Sequence, residues 1–192
     1  MVHRVLDALA AAGQIGPRIL CGLSPPLIEQ ELELKSRLDR GEIKWFPGHS
    51  TPSASTYHAL QSVPDGLPVL VTTADHAFLS AQIVDYFCSE ARRMECDVVA
   101  GLTLYKSVIS AFPETKRTAI RFKDSAYSGC NLFAFMNPRA YSVAAFWRRI
   151  EQQRKKPLVV IGLLGWWAVI RYRLGVLSLE EALAKLSKRL GL

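Results

Sequence analysis

The stretch PVLVTTADHAFLS, residues 68–80, decides the fold. Val69, Leu70, Val71, Thr72 and Thr73 form a short, uncharged, mostly β-branched run, the pattern of a strand buried on both faces. The run stops at Ala74, Asp75 and His76, and Ser80 then opens a helix pattern with Ile83, Phe87 and Ala91 on one face. A buried strand that hands over to a helix through a carboxylate is the unit of an open α/β sheet. Ligands of such sheets bind outside the carboxyl ends of the strands.

Working outward, the same alternation recurs. Val2, Val5, Leu6 and Leu9 have helical spacing, and RILCGL (18–23) reads as a buried strand. Pro25 and Pro26 open a helix predicted to run through Leu38 to Gly41, followed by the strand IKWF (43–46). After the loop PGHSTPS comes a short helix, with Ser53 expected to accept from its first-turn amides. DVVAGLTLY (97–105) and GCNLFAF (129–135) read as strands, and the segment KSVISAFPETKRTAIRFKD between them as a hairpin excursion. Asn137 and Pro138 start a helix carrying Val143, Phe146, Trp147 and Ile150 on one face. These patterns predict a three-layer α/β/α, Rossmann-like fold with a mostly parallel sheet.

Composition narrows the class. The 192 residues suffice for one ordinary domain. Cys21, Cys88, Cys96 and Cys130 lie far apart, without the spacing of a zinc site or a disulfide scaffold, and point to a reducing, cytoplasmic setting. The opening MVHRVLDALAAAG lacks the apolar core of a signal peptide. Of the net charge of +7, the segment from Arg139 to Leu192 carries eleven Lys and Arg against three Glu, a net of +8. The remainder holds thirteen basic against fourteen acidic residues, so the excess sits in a C-terminal region rather than across a nucleic-acid-binding face. The expected organisation is an α/β domain at 1–138 and a basic, amphipathic helical region at 139–192.

Within that region, PLVVIGLLGWWAVI (157–170) is free of charge and flanked by RKK (154–156) and by Arg171 and Arg173. As a helix it covers about 21 Å, short of a bilayer core of roughly 30 Å. Either an anionic membrane surface at the inner face or a protein surface, including a second subunit, suits it. The closing SLEEALAKLSKRLGL has a capping-box pattern at Ser178 and Glu181 and an apolar stripe of Leu179, Ala182, Leu183, Leu186 and Leu190.

TTADHAFLS after a buried strand, STPSAST opening a short helix some twenty residues earlier, RVLDALAAAG, and ETKRTAIRFKDSAYSGCNLFAF together resemble the MobA-like nucleotidyltransferases, across nearly the whole chain. The resemblance implies Mg2+-dependent transfer of a nucleoside monophosphate from an NTP to a phosphorylated or similar acceptor, with release of pyrophosphate. It implies that Asp75 is the metal ligand and that Ser53, Ser55 and Thr56 lie on the nucleotide side of the pocket. Lys116 and Arg117 would neutralise phosphate oxygens, and Asn131 and His76 would meet the acceptor. The bland readings stay open beside these: Asp75 as a turn residue capping the loop before Ser80, Ser53 as a plain helix cap, and Lys116–Arg117 as a solvated pair.

Two departures from the family pattern stand out. The glycine-rich loop after a first strand, and a late strand with a second Asp, have no counterpart in these residues. In the family that first strand lies between those matching 18–23 and 68–73, so the sheet is expected to be interrupted there, by a shortened frame or by divergence, and the 192 residues are expected to turn over NTP poorly or not at all. The competing functions are a GT-A-type glycosyltransferase, against which the missing DxD pattern speaks, and a non-catalytic binding or scaffold protein of the same fold.

Overall fold

In the computed structural model, residues 1–64, 66–153 and 165–192 are described. They fall into two units, Met1–Val99 with Phe133–Arg148, and Ala100–Leu132 with Arg149–Leu192.

The first unit opens with helix α1 (Val2–Ala11), which buries Val5, Leu6 and Ala8. Strand β1 (Ile19–Cys21) follows, then α2 (Pro25–Gln30), α3 (Leu32–Asp39) and β2 (Lys44–Phe46). The single helix expected from Pro25 to Leu38 is broken at Glu31, whose φ of −89° and ψ of 84° leave the helical region. The break has a packing reason. Ile28 and Leu34 are six residues apart, about 240° round a continuous helix. Interrupted at Glu31, both side chains enter one core cluster with Leu6, Leu20 and Ile43. β1 and β2 pair in parallel, with Leu20 opposite Trp45 and Cys21 opposite Phe46.

Helix α4 (Pro52–Gln61) follows β2. Its cap is Thr51, whose hydroxyl accepts from the Ala54 amide at 3.2 Å, and not Ser53. Pro52 fixes the first helical position, which places Ser53 inside the helix, where it is fully buried. Strand β3 (Val69–Thr72) and helix α5 (Ala81–Arg93) occupy the places predicted from 68–80. Ser80 caps α5 by accepting from the Ile83 amide at 3.3 Å. The buried face of α5 is Val84, Phe87 and Ala91, so Val84 replaces the expected Ile83, which is exposed.

The next elements are β4 (Val98–Leu104), α6 (Tyr105–Ala111), β5 (Ile120–Arg121) and β6 (Ala126–Phe135), and a 3-10 turn at Pro138–Ala140 leads into α7 (Tyr141–Gln152). The excursion after β4 therefore begins as a helix rather than a strand. Its apolar run is too short for periodicity alone to separate the two. β3, β6 and β4 lie side by side in that order, in a sheet separate from β1–β2, and β5 pairs antiparallel with β6. Among the described residues no strand joins β1 to β3, so the interruption expected between 18–23 and 68–73 is present. A second core forms round Leu60, Phe135, Ala140 and Ala144. Leu60 and Phe135 each contribute about 1.5–3 kcal/mol by leaving water.

In the second unit, helices α8 (Trp166–Arg173) and α9 (Leu179–Leu190) follow the β5–β6 hairpin. The Tyr172 ring meets Phe122 edge-on at 5.8 Å, and its hydroxyl accepts from the Arg121 amide at 3.4 Å. Leu177 is buried and its carbonyl accepts from the Lys123 amide at 2.9 Å. The capping box of α9 is complete, with Gly191 left-handed at the far end. Of the expected stripe, Leu179, Ala182, Leu186 and Leu190 are half-buried and Leu183 is exposed. Residues 154–164, which include RKK and the first part of the charge-free run, lie outside the described residues.

Candidate active site

Asp75 lies three residues beyond the carboxyl end of β3, in a turn closed by the His76 amide donating to the Thr73 carbonyl at 3.2 Å. Its carboxylate is exposed and has no hydrogen-bond or ion-pair partner among the described residues. A carboxylate that caps a turn would accept from a nearby amide. Here Ser80 performs that task for α5, and the Leu79 amide donates to the His76 carbonyl at 3.2 Å. The loop is built without Asp75's side chain. His76 is half-buried, with Nδ1 3.3 Å from the Thr72 hydroxyl at the end of β3. That contact orients the imidazole back toward the strand.

The second feature lies where β1 and β2 end. Because the two strands are parallel, their following loops leave the same edge, and the backbones of Gly22 and Gly48 approach so closely that a Cβ on Gly48 would stand 3.1 Å from the Gly22 Cα. Gly22 and Leu23 both take positive φ, 122° and 56°, to make the turn. Trp45 Nε1 donates to the Gly22 carbonyl at 2.8 Å and ties the two loops together. Against this corner and the start of α4 opens a cleft of about 270 Å³ lined by Phe46, Pro47, His49, Ser55, His58 and Ala59. The rings of His49 and His58 stack at 3.9 Å, 15° from parallel.

Of the three α4 residues predicted to face a nucleotide, Ser55 lines this cleft; its hydroxyl accepts from the His49 amide at 2.9 Å and donates to the Thr51 carbonyl at 3.2 Å. Ser53 is fully buried, 3.1 Å from the Thr51 hydroxyl, and Thr56, next to Ser55, is half-buried. Sequence reasoning passed over Phe46, His49 and His58. The signal available was a strand end followed by two histidines nine residues apart, which carries no motif by itself.

Lys116, Arg117 and Asn131 belong to the second unit. Lys116 and Arg117 are exposed on the loop between α6 and β5. Arg117 lies near enough to Cys130 to favour its thiolate, although burial wins and pushes the thiol up. Asn131, expected at the start of a strand, sits within β6 at a φ of +53°, a left-handed conformation that Asn tolerates better than most residues.

For Mg2+ the loop that leaves β3, residues 73–80, offers one carboxylate, Asp75. Among the described residues no group of three or more His, Cys, Asp or Glu side chains converges on a metal position. A single carboxylate is the minimal protein share of a Mg2+ site in which nucleotide phosphates supply further oxygens, and Asp75, exposed and unpaired, fits that case.

Residues 1–156 match the family described as the MobA-like NTP transferase domain, and the chain belongs to that family. Its fold is shared with a hypothetical transferase from Thermus thermophilus, 29% identical with a TM-score of 0.79, matched over 100% of this chain and 75% of that one. The 4-diphosphocytidyl-2C-methyl-D-erythritol synthase of Anaerococcus prevotii DSM 20548 is 18% identical with a TM-score of 0.52, over 77% of this chain and 63% of that one. CMP:2-keto-3-deoxy-manno-octonic acid synthetase complexed with CTP is 10% identical with a TM-score of 0.54, over 83% and 73%. The last two show likeness of fold alone. No curated protein matches the sequence. The chain is thus a nucleotidyltransferase-family protein of Rossmann-like α/β architecture.

Proposed function

We propose that the protein transfers a nucleoside monophosphate from an NTP to a phosphorylated acceptor, using Mg2+. An oxygen of the acceptor phosphate bonds to the α-phosphorus, the bond from that phosphorus to the α–β bridging oxygen breaks, and pyrophosphate leaves. The observation that carries the reading is the exposed, unpartnered carboxylate of Asp75 past the end of β3, in a chain of a nucleotidyltransferase family. Mg2+, when bound, neutralises phosphate charge. Asp75 supplies its protein oxygen. The cleft beside α4 takes the nucleobase, with the His49–His58 stack and the Phe46 ring offering flat surfaces and Ser55 a hydroxyl. Lys116 and Arg117 keep the phosphate-neutralising role, and His76 and Asn131 the acceptor-side role, that the sequence suggested.

The test is titration of Mn2+ with each of the four common NTPs on the parent chain, Asp75→Asn and His58→Ala, followed by pyrophosphate release with a panel of sugar phosphates. Metal-dependent NTP binding that weakens at least tenfold in Asp75→Asn supports the assignment. Equal binding by parent and Asp75→Asn would falsify it, and binding without pyrophosphate release for any acceptor would favour a binding protein of the same fold. The free thiols of all four cysteines support a reducing, cytoplasmic location.

A further inference from the structure

Helix α8 has two unlike sides. On a helix turning about 100° per residue, Trp166, Ile170, Leu174 and Trp167 fall on one arc of about 100°, with Arg173 just outside one edge and Arg171 just outside the other. The four apolar side chains are 57%, 43%, 69% and 74% exposed. The opposite side carries Ala168, Val169 and Tyr172, and Tyr172 holds the helix to the β5–β6 hairpin through Phe122 and the Arg121 amide. The helix is therefore fastened by one side, and the other presents two tryptophans to solvent.

The surroundings of that face are cationic. A cleft of about 600 Å³ runs between α8 and α9, lined among others by Trp167, Arg171, Lys185, Lys188 and Arg189. Arg171 is engaged, donating to Glu181 at 2.9 Å. Arg173 and Lys188 have no ion-pair partner among the described residues. No helix of the described residues is long and apolar enough to cross a membrane. An exposed apolar stripe bounded by two tryptophans, edged by arginines and backed by further cations, matches in both polarity and charge the interface of a bilayer bearing anionic headgroups.

We propose that the exposed face of α8, with the adjoining cations of α9, docks the protein on an anionic lipid surface, the rings of Trp166 and Trp167 entering the headgroup boundary and Arg173 and Lys188 meeting lipid phosphates. This docking is independent of the nucleotidyl-transfer reading, since it uses none of the residues assigned to it.

Flotation of the full chain with phosphatidylcholine vesicles, with and without phosphatidylglycerol, tests it, together with tryptophan quenching by a brominated acyl chain. The expected result is flotation with the anionic vesicles in low salt, loss of it in high salt or with phosphatidylcholine alone, and quenching of the parent's fluorescence. Trp166→Ser with Trp167→Ser should abolish both signals. Arg173→Gln and Lys188→Gln should each weaken binding about fivefold, the contribution of one cation near an anionic surface. Failure of the parent to float, or equal flotation by the parent and the tryptophan variant, overturns the proposal. So does light scattering that shows a parent dimer which the tryptophan variant dissolves, because the face then belongs to a second copy.

Discussion

Gln14 donates twice to Asp85 across 71 residues of sequence: its backbone amide to the Asp85 carboxylate at 3.0 Å, and its Nε2 to the Asp85 carbonyl at 3.0 Å. The Gly13 amide donates to the same carboxylate at 3.1 Å. One side chain on α5 thus satisfies the backbone that leaves α1. Asp85→Ala removes the acceptor of two backbone amides and should cost about 1–3 kcal/mol. Asp85→Asn, which keeps one acceptor oxygen, should cost less. Urea midpoints of the three proteins at a common slope check the order.

Acid should loosen the α8–α9 region. The Ser178 amide, and after it the Arg171 guanidinium, hold the Glu181 carboxyl below the usual glutamate range. A carboxylate depressed in the folded state stabilises above its unfolded pKa, and that contribution disappears as pH falls through the folded value. The loss is therefore expected on descending from the ordinary glutamate range to below it. Glu181→Gln should flatten this part of a stability–pH profile followed by urea midpoint, and a profile unchanged by the substitution would count against the assignment. Ser178→Ala, removing the reciprocal half of the box, should cost about 1 kcal/mol at neutral pH.

Two leucines test the burial pattern. Leu34 is 1% exposed in the cluster with Leu6, Leu20, Ile28 and Ile43. Leu34→Ala should cost about 2–5 kcal/mol. Leu183 belongs to the apolar stripe of α9 yet is 51% exposed, so Leu183→Ala should stay within about 0.5 kcal/mol of the parent. A large loss at Leu183 would mean that the stripe is covered in solution.

Asp75→Asn should leave folding untouched, with a change in stability within about 0.5 kcal/mol, because the carboxylate is exposed and supports no turn. Any loss of metal-dependent nucleotide binding in that variant then reports on the site rather than the fold. Thermal unfolding of parent and variant without nucleotide provides the control.

Cysteine chemistry should be uneven. Burial pushes the thiols of Cys21, Cys88 and Cys130 up, whereas Cys96 is exposed. Since the thiolate is the reactive form, iodoacetamide at neutral pH should label Cys96 first and the other three slowly. Peptide mass spectrometry over a time course separates them.

What could be read from the residues alone was local or periodic. The run at 69–73 ending at Asp75 predicted β3, its mouth and the following helix, because a strand's burial and a helix's cap are written within a few consecutive residues. The Ser178–Glu181 box was legible for the same reason, its partners being three residues apart.

Tertiary structure decided what depends on distant partners. The break at Glu31 follows from the need of Ile28 and Leu34 to reach one core, a demand set by α1, β1 and Ile43 and invisible in the helical pattern of 25–38. The stack of His49 on His58 exists only once the loop after β2 folds against α4. Periodicity marked α8 as apolar without saying which side would be covered. Anchoring of Tyr172 on Phe122 settled that, and left Trp166 and Trp167 facing water. Contacts across dozens of residues are chosen by shape and burial in three dimensions, and spacing along the chain does not encode them.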